Sequence, residues 1–255
     1  MKLSNQVALV FGGSSGIGKA TAQRLAREGA TVAVIASGDV AKAQAVADQI
    51  VEAGGKAKGF VANVREVGSI KAVVTEVERD LGPVDILVYS AGVYYPTPLG
   101  GTEEAAFDQM VEINLKGAFF AVDAVAVGMK QRGRGRIVNV ASVAAFRGSS
   151  RFPLYCATKA AIVMLTRALV GDLAKHGVHI NAVAPGNTAT PLNENDRLGE
   201  NSAATLAAKA AATPSGRTYS PPEEIASTIY FLVSGEVNAM HGETILVDEG
   251  LFAGV

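Results

Sequence analysis

Tyr155 and Lys159 stand four residues apart in the segment Tyr155-Cys156-Ala157-Thr158-Lys159. If this segment is a helix, both side chains lie on one face, one turn apart. The pKa of a free tyrosine is about 10, and a neighbouring lysine charge is expected to lower it because the charge stabilises the phenolate. Ser142, thirteen residues upstream, offers a hydroxyl to the same substrate atom. The pattern indicates proton transfer to or from a substrate oxygen, although a tyrosine and a lysine at this spacing also occur by chance in many proteins.

Composition limits the classes of partner. The 255 residues carry a net charge of −1, with 49% hydrophobic and 18% charged residues. Since there is no basic excess to hold a phosphate backbone, no nucleic acid is expected as a partner. The single cysteine, Cys156, excludes an internal disulfide and fits a reducing compartment. Met1–Gln6 shows no signal-type apolar stretch, and no uninterrupted apolar run is long enough for a bilayer. We therefore expect a cytoplasmic chain with no membrane partner.

Seven short apolar runs alternate along the chain with longer segments of helical pattern. Continuous apolar runs between helices are typical of strands buried on both faces of a parallel sheet. The pattern predicts an α/β fold: a doubly wound (Rossmann) seven-stranded parallel sheet flanked by helices, in three α/β/α layers. The predicted strands are Val7–Phe11, Thr31–Ala36, Ala57–Ala62, Ile86–Tyr89, Arg136–Val140, His179–Val183 and Thr244–Val247, and three of the predicted helices are Ile17–Glu28, Val40–Ala53 and Ser69–Leu81.

A glycine-rich loop, Gly12-Gly13-Ser14-Ser15-Gly16-Ile17-Gly18, follows the first predicted strand. Glycines permit a tight turn and a close approach of the backbone to a pyrophosphate, and the helix that follows offers free N–H groups and a positive dipole end. Taken alone, such a loop could be an ordinary strand-to-helix turn. On the first strand of an α/β pattern it predicts dinucleotide binding by Gly12, Ser14, Ser15, Gly16, Ile17 and Gly18.

The end of the second strand bears on the choice of coenzyme. An acidic residue there would bind the adenosine ribose hydroxyls and repel a 2′-phosphate, but Ala36 and Ser37 occupy this place. No arginine lies in the glycine loop or directly after the strand. The sequence therefore favours NADP(H), with NAD(H) as the alternative. After the third strand, Asn63 and Val64 are candidates for the adenine edge, and Asn63 could equally cap the next helix.

Residues 1–255 are predicted to form a single domain that carries both the dinucleotide-binding and the catalytic residues. Linkers, low-complexity segments and internal repeats are missing from the sequence. The least regular region, about 187–220, is rich in Ala, Asn and Thr and ends before Pro221-Pro222. A long segment after the sixth strand would cover the carboxyl edge of the sheet, where we expect a substrate lid.

The order and separation of these motifs resemble the short-chain dehydrogenase/reductase family, in its single-domain form of about this length. The resemblance covers nearly the whole chain. It rests on Gly12, Gly16, Ile17 and Gly18, on Asn114 within Ile113-Asn114-Leu115-Lys116-Gly117, on Ser142, Tyr155 and Lys159, on Pro185-Gly186, and on Val247-Asp248-Glu249-Gly250.

The resemblance implies a role for each of four residues. Tyr155 would be the acid/base, and Ser142 would orient and polarise the substrate oxygen. Lys159 would lower the pKa of Tyr155 and hold the nicotinamide ribose hydroxyls. Asn114 would kink its helix and hold a water that links Lys159 to solvent. The further cofactor contacts are Ala91, Gly92, Pro185, Gly186, Thr188 and Thr190, and no residue is assigned to a metal.

The resemblance also implies a homotetramer, or less often a dimer. Its interfaces would involve the helical regions Glu103–Arg132 and Pro153–His176 and the last strand. The same alanine- and valine-rich faces could instead pack against the sheet.

Three places depart from the family pattern. Phe11 stands where the family usually has threonine, and Tyr89-Ser90 stands where it usually has Asn-Asn. Asp248-Glu249-Gly250 replaces the more common Asp-Gly-Gly. Because a phenol cannot reproduce the hydrogen bonds of an asparagine amide, the packing around Tyr89 is predicted to differ.

The predicted activity is reversible hydride transfer between the nicotinamide and the carbon of a ketone or secondary alcohol, with a small molecule as substrate. A hydrophobic or moderately polar ketone, or a 3-oxoacyl thioester, is favoured over a sugar. The predicted pocket wall comprises Tyr94, Tyr95, Val143, Ala144, Phe146, Phe152 and the lid from Leu192 onward. The alternative is a non-catalytic dinucleotide sensor or scaffold on the same fold, which would not need Tyr155 and Lys159 at this spacing.

Overall fold

Seven parallel strands form one sheet in the computed structural model, which describes residues 1–199 and 202–254. Their spatial order is β3-β2-β1-β4-β5-β6-β7, and it reverses between β1 and β4 as in other doubly wound folds. The predicted fold class is thereby confirmed. The strands are β1 Val7–Phe11, β2 Thr31–Ala36, β3 Lys56–Val61, β4 Val84–Tyr89, β5 Gly135–Val140, β6 Val178–Pro185 and β7 Thr244–Val247.

Helices cover both faces of the sheet. Successive residues of a strand point to opposite faces, so Leu9 and Phe11 of β1 join one core cluster and Ala8 and Val10 join the other. A strand buried on both faces needs continuous apolar sequence, which is why the apolar runs mark the strands. The helices are α1 Gly16–Arg27, α2 Val40–Glu52, α3 Val67–Leu81, α4 Glu104–Val111, α5 Gly117–Arg132, α6 Pro153–Ala168, α7 Val170–Leu173, α8 Glu194–Leu198, α9 Ser202–Ala212 and α10 Pro222–Val233.

The predicted bounds miss polar residues at the strand ends. β4 begins at Val84, two residues before the predicted start. It therefore includes Asp85, whose carboxylate accepts a hydrogen bond from the backbone N–H of Val7 at 3.1 Å. β3 begins at Lys56 and lies at the edge of the sheet, where Lys56 and Lys58 are exposed. An apolar run thus locates the buried part of a strand and not its ends.

Between β6 and α10 the chain crosses the carboxyl end of the sheet. This segment, 187–220, contains α8 and α9. Its two ends are joined, because Ser220 N donates to Asn187 O at 2.8 Å and Ala189 N donates to Ser220 O at 3.0 Å. The segment therefore leaves and rejoins the sheet at one place.

Among the residues that the structure describes, one helical stretch, Pro153–His176, is long and apolar enough by composition to span a membrane. Its apolar run is not continuous, because Lys159 and other charged residues interrupt it. In the fold, Thr158, Lys159 and Thr166 of this stretch are buried. Buried polar side chains thus hold one face of this stretch against the rest of the fold.

Candidate active site

A cavity of about 740 Å³ opens at the carboxyl end of the strands. Open parallel sheets bind ligands at this edge, where the strand order reverses. The wall includes most of the residues that the sequence singled out: Gly12, Ser14, Ser15, Gly16, Ile17, Ala36, Ser37, Asn63, Val64, Ala91, Gly92, Ser142, Tyr155, Lys159, Pro185, Gly186, Thr188 and Thr190. Gly18 and Asn114 lie behind the wall, and their contacts are described below.

The glycine loop closes one side of the cavity by packing backbone on backbone. Gly12 and Gly16 have φ values of 72° and 49°, in the left-handed region that favours glycine. A Cβ at Gly12 would lie 2.7 Å from the backbone N of Ala91, and a Cβ at Gly18 would collide with the carbonyl oxygen of Gly12. Gly18 is therefore a packing residue of the loop.

The start of α1 fits the pyrophosphate of a dinucleotide. Ser14, Ser15 and the first two residues of α1 line the cavity. The backbone of Ser15 is extended at the N-cap of α1, a position from which free N–H groups and the helix dipole attract an anion. The start of α1 is therefore suited to bind the pyrophosphate of the predicted dinucleotide.

The wall at the end of β2 has no carboxylate among its described residues. Ala36 and Ser37 line it, as predicted, together with Arg65, which the sequence analysis did not name. Arg65 follows β3 rather than β2, and its Nε is paired with Glu112 Oε2 at 2.7 Å. The side chain of Asn63 serves the local turn: Oδ1 accepts from Arg65 N at 3.1 Å and Nδ2 donates to Glu66 Oε1 at 2.7 Å.

Tyr155 and Lys159 lie one turn apart on α6 and face the same cavity as Ser142. Lys159 Nζ is 5.7 Å from the centre of the Tyr155 ring and donates to the carbonyl oxygen of Val140 at 2.8 Å. Ser142 lies two residues after the end of β5, and its Oγ accepts a hydrogen bond from Ala144 N at 3.1 Å. The start of α6 and the end of β5 therefore bring the three side chains together.

The electrostatics of Tyr155 differ from the expectation. Burial raises the pKa of Tyr155 to about 12, and the nearby Ser142 hydroxyl acts in the opposite direction. Burial also lowers the pKa of Lys159 to about 8. The predicted lowering of the pKa of Tyr155 by Lys159 is therefore wrong for this arrangement. Desolvation disfavours the charged form of both groups, and the ammonium donates to a carbonyl of β5 rather than to the phenol.

Asn114 lies in a π-helical turn, Glu112–Lys116, between α4 and α5. This agrees with the irregularity expected of an asparagine inside a helix. Its side chain is 1% exposed. Oδ1 accepts from Val93 N at 2.8 Å, and Nδ2 donates to Val93 O at 3.1 Å and to Thr158 Oγ1 at 3.3 Å. Asn114 therefore ties the chain after β4 to the helix that carries Tyr155 and Lys159.

The loop after β6 closes the other side of the cavity. A Cβ at Gly186 would lie 2.7 Å from Asp248 Cα, so this glycine lets the end of β6 pack on the loop after β7. Thr190 lies over the glycine loop, where a Cβ at Gly16 would be 3.1 Å from Thr190 Cβ. Thr188 is 5% exposed. Both threonines thus stand where the cofactor loop and the lid region meet.

Aromatic rings border the cavity next to Tyr155. Tyr94 stacks on Phe152 with ring centres 4.3 Å apart and meets the Tyr155 ring edge-on at 4.9 Å. Of the predicted pocket wall, Tyr94, Val143, Ala144 and Leu192 line the cavity. Tyr95, Phe146 and Phe152 do not line it, and the Tyr95 hydroxyl turns to α4, where it donates to Ala106 O at 2.7 Å.

Lys209 is a wall residue that the sequence analysis missed. It lies on the alanine-rich α9, where no motif marks it. Its Nζ is 2.9 Å from Asp196 Oδ2 and 2.7 Å from the Tyr219 hydroxyl. Its charge is therefore paired inside the segment that crosses the sheet.

Comparison with known proteins decides the family. The sequence profile described as short chain dehydrogenase matches residues 6–201. The 2-(S)-hydroxypropyl-CoM dehydrogenase 3 of Xanthobacter autotrophicus is 37% identical over 253 residues, 99% of this chain and 98% of that protein. This chain belongs to the short-chain dehydrogenase family.

Two further relatives agree with this assignment. A 3-oxoacyl-[acyl-carrier-protein] reductase of Thermotoga maritima is 36% identical, covering 98% of this chain and 99% of that protein. A gluconate 5-dehydrogenase from Burkholderia cenocepacia, solved in complex with NADP and tartrate, has a TM-score of 0.93 at 32% identity, covering 99% of this chain and 97% of that one. This short-chain dehydrogenase is thus an NAD(P)-dependent oxidoreductase that acts on a small-molecule carbonyl or alcohol.

Proposed function

We propose that this short-chain dehydrogenase reduces a ketone with NADPH and that Tyr155 is its proton donor. The observation that carries the proposal is the meeting of Ser142, Tyr155 and Lys159 in one cavity with the glycine loop. A phenol whose pKa is held at about 12 by burial is protonated at neutral pH. It therefore carries the proton that it would donate to the oxygen of a carbonyl as negative charge develops there.

The nicotinamide supplies a hydride when the cofactor is bound. The residues of the chain hold and polarise the substrate. Ser142 donates a hydrogen bond to the carbonyl oxygen, and Tyr155 donates its proton to the same oxygen. Lys159 would hold the ribose hydroxyls of the bound cofactor next to the nicotinamide. In the oxidation of an alcohol, Tyr155 takes the proton back.

We infer a preference for NADP(H) over NAD(H) from the end of β2. Ala36 and Ser37 leave the wall uncharged there, and Arg65 lines the same cavity. An acidic residue in place of Ala36 would repel a 2′-phosphate. NADP in a similar solved structure supports the preference.

We propose a hydrophobic or moderately polar ketone as the substrate, with 3-oxoacyl thioesters as the first class to try. The Tyr94 ring lines the wall next to Tyr155, and the wall cations Arg65 and Lys209 are each paired with a carboxylate. The described wall therefore leaves only Lys159 as an unpaired cation, which is needed for the cofactor. A relative that reduces a 3-oxoacyl group supports this choice. We propose residues about 187–220 as the lid over this site, within one domain formed by residues 1–255.

We propose a cytoplasmic homotetramer. Large apolar side chains are exposed on the helices that the family resemblance assigns to subunit contacts: Phe107 (48%), Phe119 (42%), Val127 (59%) and Met164 (59%). Burying such side chains between copies of the chain would remove apolar surface from water.

The experiment that tests the function has two steps. Fluorescence titration with NADPH and NADH measures binding, and absorbance at the reduced-nicotinamide band measures turnover with alkyl ketones, aryl ketones and 3-oxoacyl thioesters. We expect turnover with NADPH and a kcat/KM at least roughly tenfold lower with NADH. Cofactor binding without turnover over the whole panel would instead favour the sensor or scaffold.

Ala36→Asp tests the coenzyme preference. The new carboxylate should reverse the preference toward NADH because it repels the 2′-phosphate. Ala53→Asp introduces the same charge at an exposed residue after α2, outside the cavity. A preference that is unchanged in Ala36→Asp would contradict the assignment of this wall to the adenosine ribose.

A further inference from the structure

Tyr89 is the last residue of β4, and its side chain is 2% exposed. Its ring packs against Phe11 with centres 5.8 Å apart. Its hydroxyl donates to the carbonyl oxygen of Ile113 at 2.6 Å. Gly117 makes room for this contact, because a Cβ at that position would collide with the Tyr89 hydroxyl. The phenol thus reaches from the central strands into the turn between α4 and α5.

The bond falls at the irregular turn of that helix. In a regular α-helix the N–H of Gly117 would bond to the carbonyl of Ile113, four residues back. Here the N–H of Gly117 bonds to the carbonyl of Glu112 instead. The carbonyl oxygen of Ile113 therefore lacks its α-helical donor, the N–H of Gly117. It accepts a hydrogen bond from the Tyr89 hydroxyl.

The same π-helical turn contains Asn114. Its side chain holds both backbone polar groups of Val93 and reaches Thr158 on α6. Thr158 Oγ1 in turn donates to the carbonyl of Tyr155 at 2.9 Å. Hydrogen bonds on either side of the covalent link Ile113-Asn114 therefore connect Tyr89 to the backbone of Tyr155.

We propose that Tyr89 is a positioning residue: its hydroxyl fixes the π-helical turn at Ile113 so that Asn114 can hold the chain after β4 against the helix of Tyr155. The inference deepens the proposed function and rests on it for its effect on turnover. Tyr89 does not itself line the cavity, although it contacts two residues that do, Phe11 and Ile113, so we assign its effect to the turn that carries Asn114.

Tyr89→Phe tests this because it removes only the hydroxyl and keeps the ring against Phe11. Tyr95→Phe is the matched control, since it removes a tyrosine hydroxyl that donates to a carbonyl of α4 at 2.7 Å, away from the π-helical turn. We expect kcat to fall roughly tenfold in Tyr89→Phe, with the Kd of NADPH within about threefold of wild type. In Tyr95→Phe, kcat should stay within about twofold.

Hydrogen exchange gives a readout that does not depend on turnover. The amide of Val93 donates to Asn114 Oδ1, so its exchange should quicken in Tyr89→Phe and not in Tyr95→Phe. Gly117→Ala adds a second test. In the wild-type background the new Cβ of Gly117→Ala collides with the Tyr89 hydroxyl. The double variant Tyr89→Phe/Gly117→Ala has no such hydroxyl. Adding Gly117→Ala should therefore lower kcat less in the Tyr89→Phe background than in the wild-type background.

The proposal is overturned if Tyr89→Phe matches Tyr95→Phe in both kcat and the exchange of Val93. It is also overturned if Gly117→Ala lowers kcat equally in both backgrounds. If the wild-type protein turns over none of the ketones, the proposed function fails, and the exchange of Val93 alone then decides whether Tyr89 positions Asn114.

Discussion

Replacing Lys159 with Met should make the stability difference from wild type depend on pH. Lys159 is 6% exposed, and burial lowers its pKa from 10.5 to about 8. The unfolded chain therefore binds its proton more tightly than the folded chain. Between these two pKa values the unfolded state holds more protons, so this lysine makes the wild-type protein more stable as pH rises. Lys159→Met lacks the titrating amine, so its stability does not gain from this effect as pH rises.

The magnitude follows from the shift. Each pKa unit is worth about 1.4 kcal/mol, and most of the interval from about 8 to 10.5 is crossed between pH 7 and pH 10. The free energy of unfolding of the wild type, relative to Lys159→Met, should therefore rise by roughly 2–3 kcal/mol over this range. Because the other titrating groups are common to both proteins, the difference isolates Lys159.

Urea unfolding at several pH values and one fixed protein concentration measures this difference. Lys71→Met, at an exposed residue of α3, is the matched control and should show a difference independent of pH. We compare the free energy of unfolding of the wild type with that of Lys159→Met. If this difference stays constant within about 0.5 kcal/mol from pH 7 to 10, the buried, cavity-facing placement of the ammonium is refuted.

Two further changes test the loop and the lid. Gly18→Ala should abolish NADPH fluorescence enhancement, because its Cβ collides with the carbonyl of Gly12, whereas Gly68→Ala, with open space around it on α3, should stabilise the protein by about 0.5–1 kcal/mol in urea unfolding. Equal NADPH binding by the two variants would contradict the loop packing. Glu249→Gly should speed proteolysis within residues 187–220 roughly fivefold, because the Glu249 carboxylate accepts from Ser220 Oγ at 2.8 Å and pairs with Arg217 at 3.2 Å. An unchanged cleavage rate by gel would show that this carboxylate does not hold the segment.

The sequence predicts the sheet well because burial on both faces leaves a direct trace. Val7–Phe11 and Thr31–Ala36 were predicted with the observed bounds, since every residue of β1 and nearly every residue of β2 is buried. The prediction fails at Asp85, which lies inside β4 because a tertiary hydrogen bond to Val7 N satisfies its carboxylate. Periodicity carries no information about such a partner, which is far away in the sequence.

The sequence predicts a site residue well when that residue type has one dominant structural role. Gly12 and Gly16 have left-handed φ values, and the glycine-rich loop predicts this because glycine adopts that region without steric cost. Arg65 and Lys209 reach the cavity from a loop and from an alanine-rich helix, and no local pattern marks them. The pKa of Tyr155 could not be predicted from the spacing to Lys159, because burial acts on both groups and only the fold sets burial.

Tyr89 shows a third case, in which a departure from a family pattern is visible but its consequence is not. The sequence indicated that a phenol could not replace the hydrogen bonds of an asparagine. It could not show that the hydroxyl reaches Ile113, because that contact depends on the π-helical turn and on the space left by Gly117.

The central claim is that Tyr155 delivers the proton to the substrate oxygen. The most direct measurement is the single-turnover rate of NADPH oxidation by Tyr155→Phe with the best ketone of the panel, beside Tyr95→Phe as the control. We predict that Tyr155→Phe is slower by roughly a hundredfold to ten-thousandfold while the Kd of NADPH stays within about threefold of wild type. A rate for Tyr155→Phe close to that of Tyr95→Phe would contradict the claim.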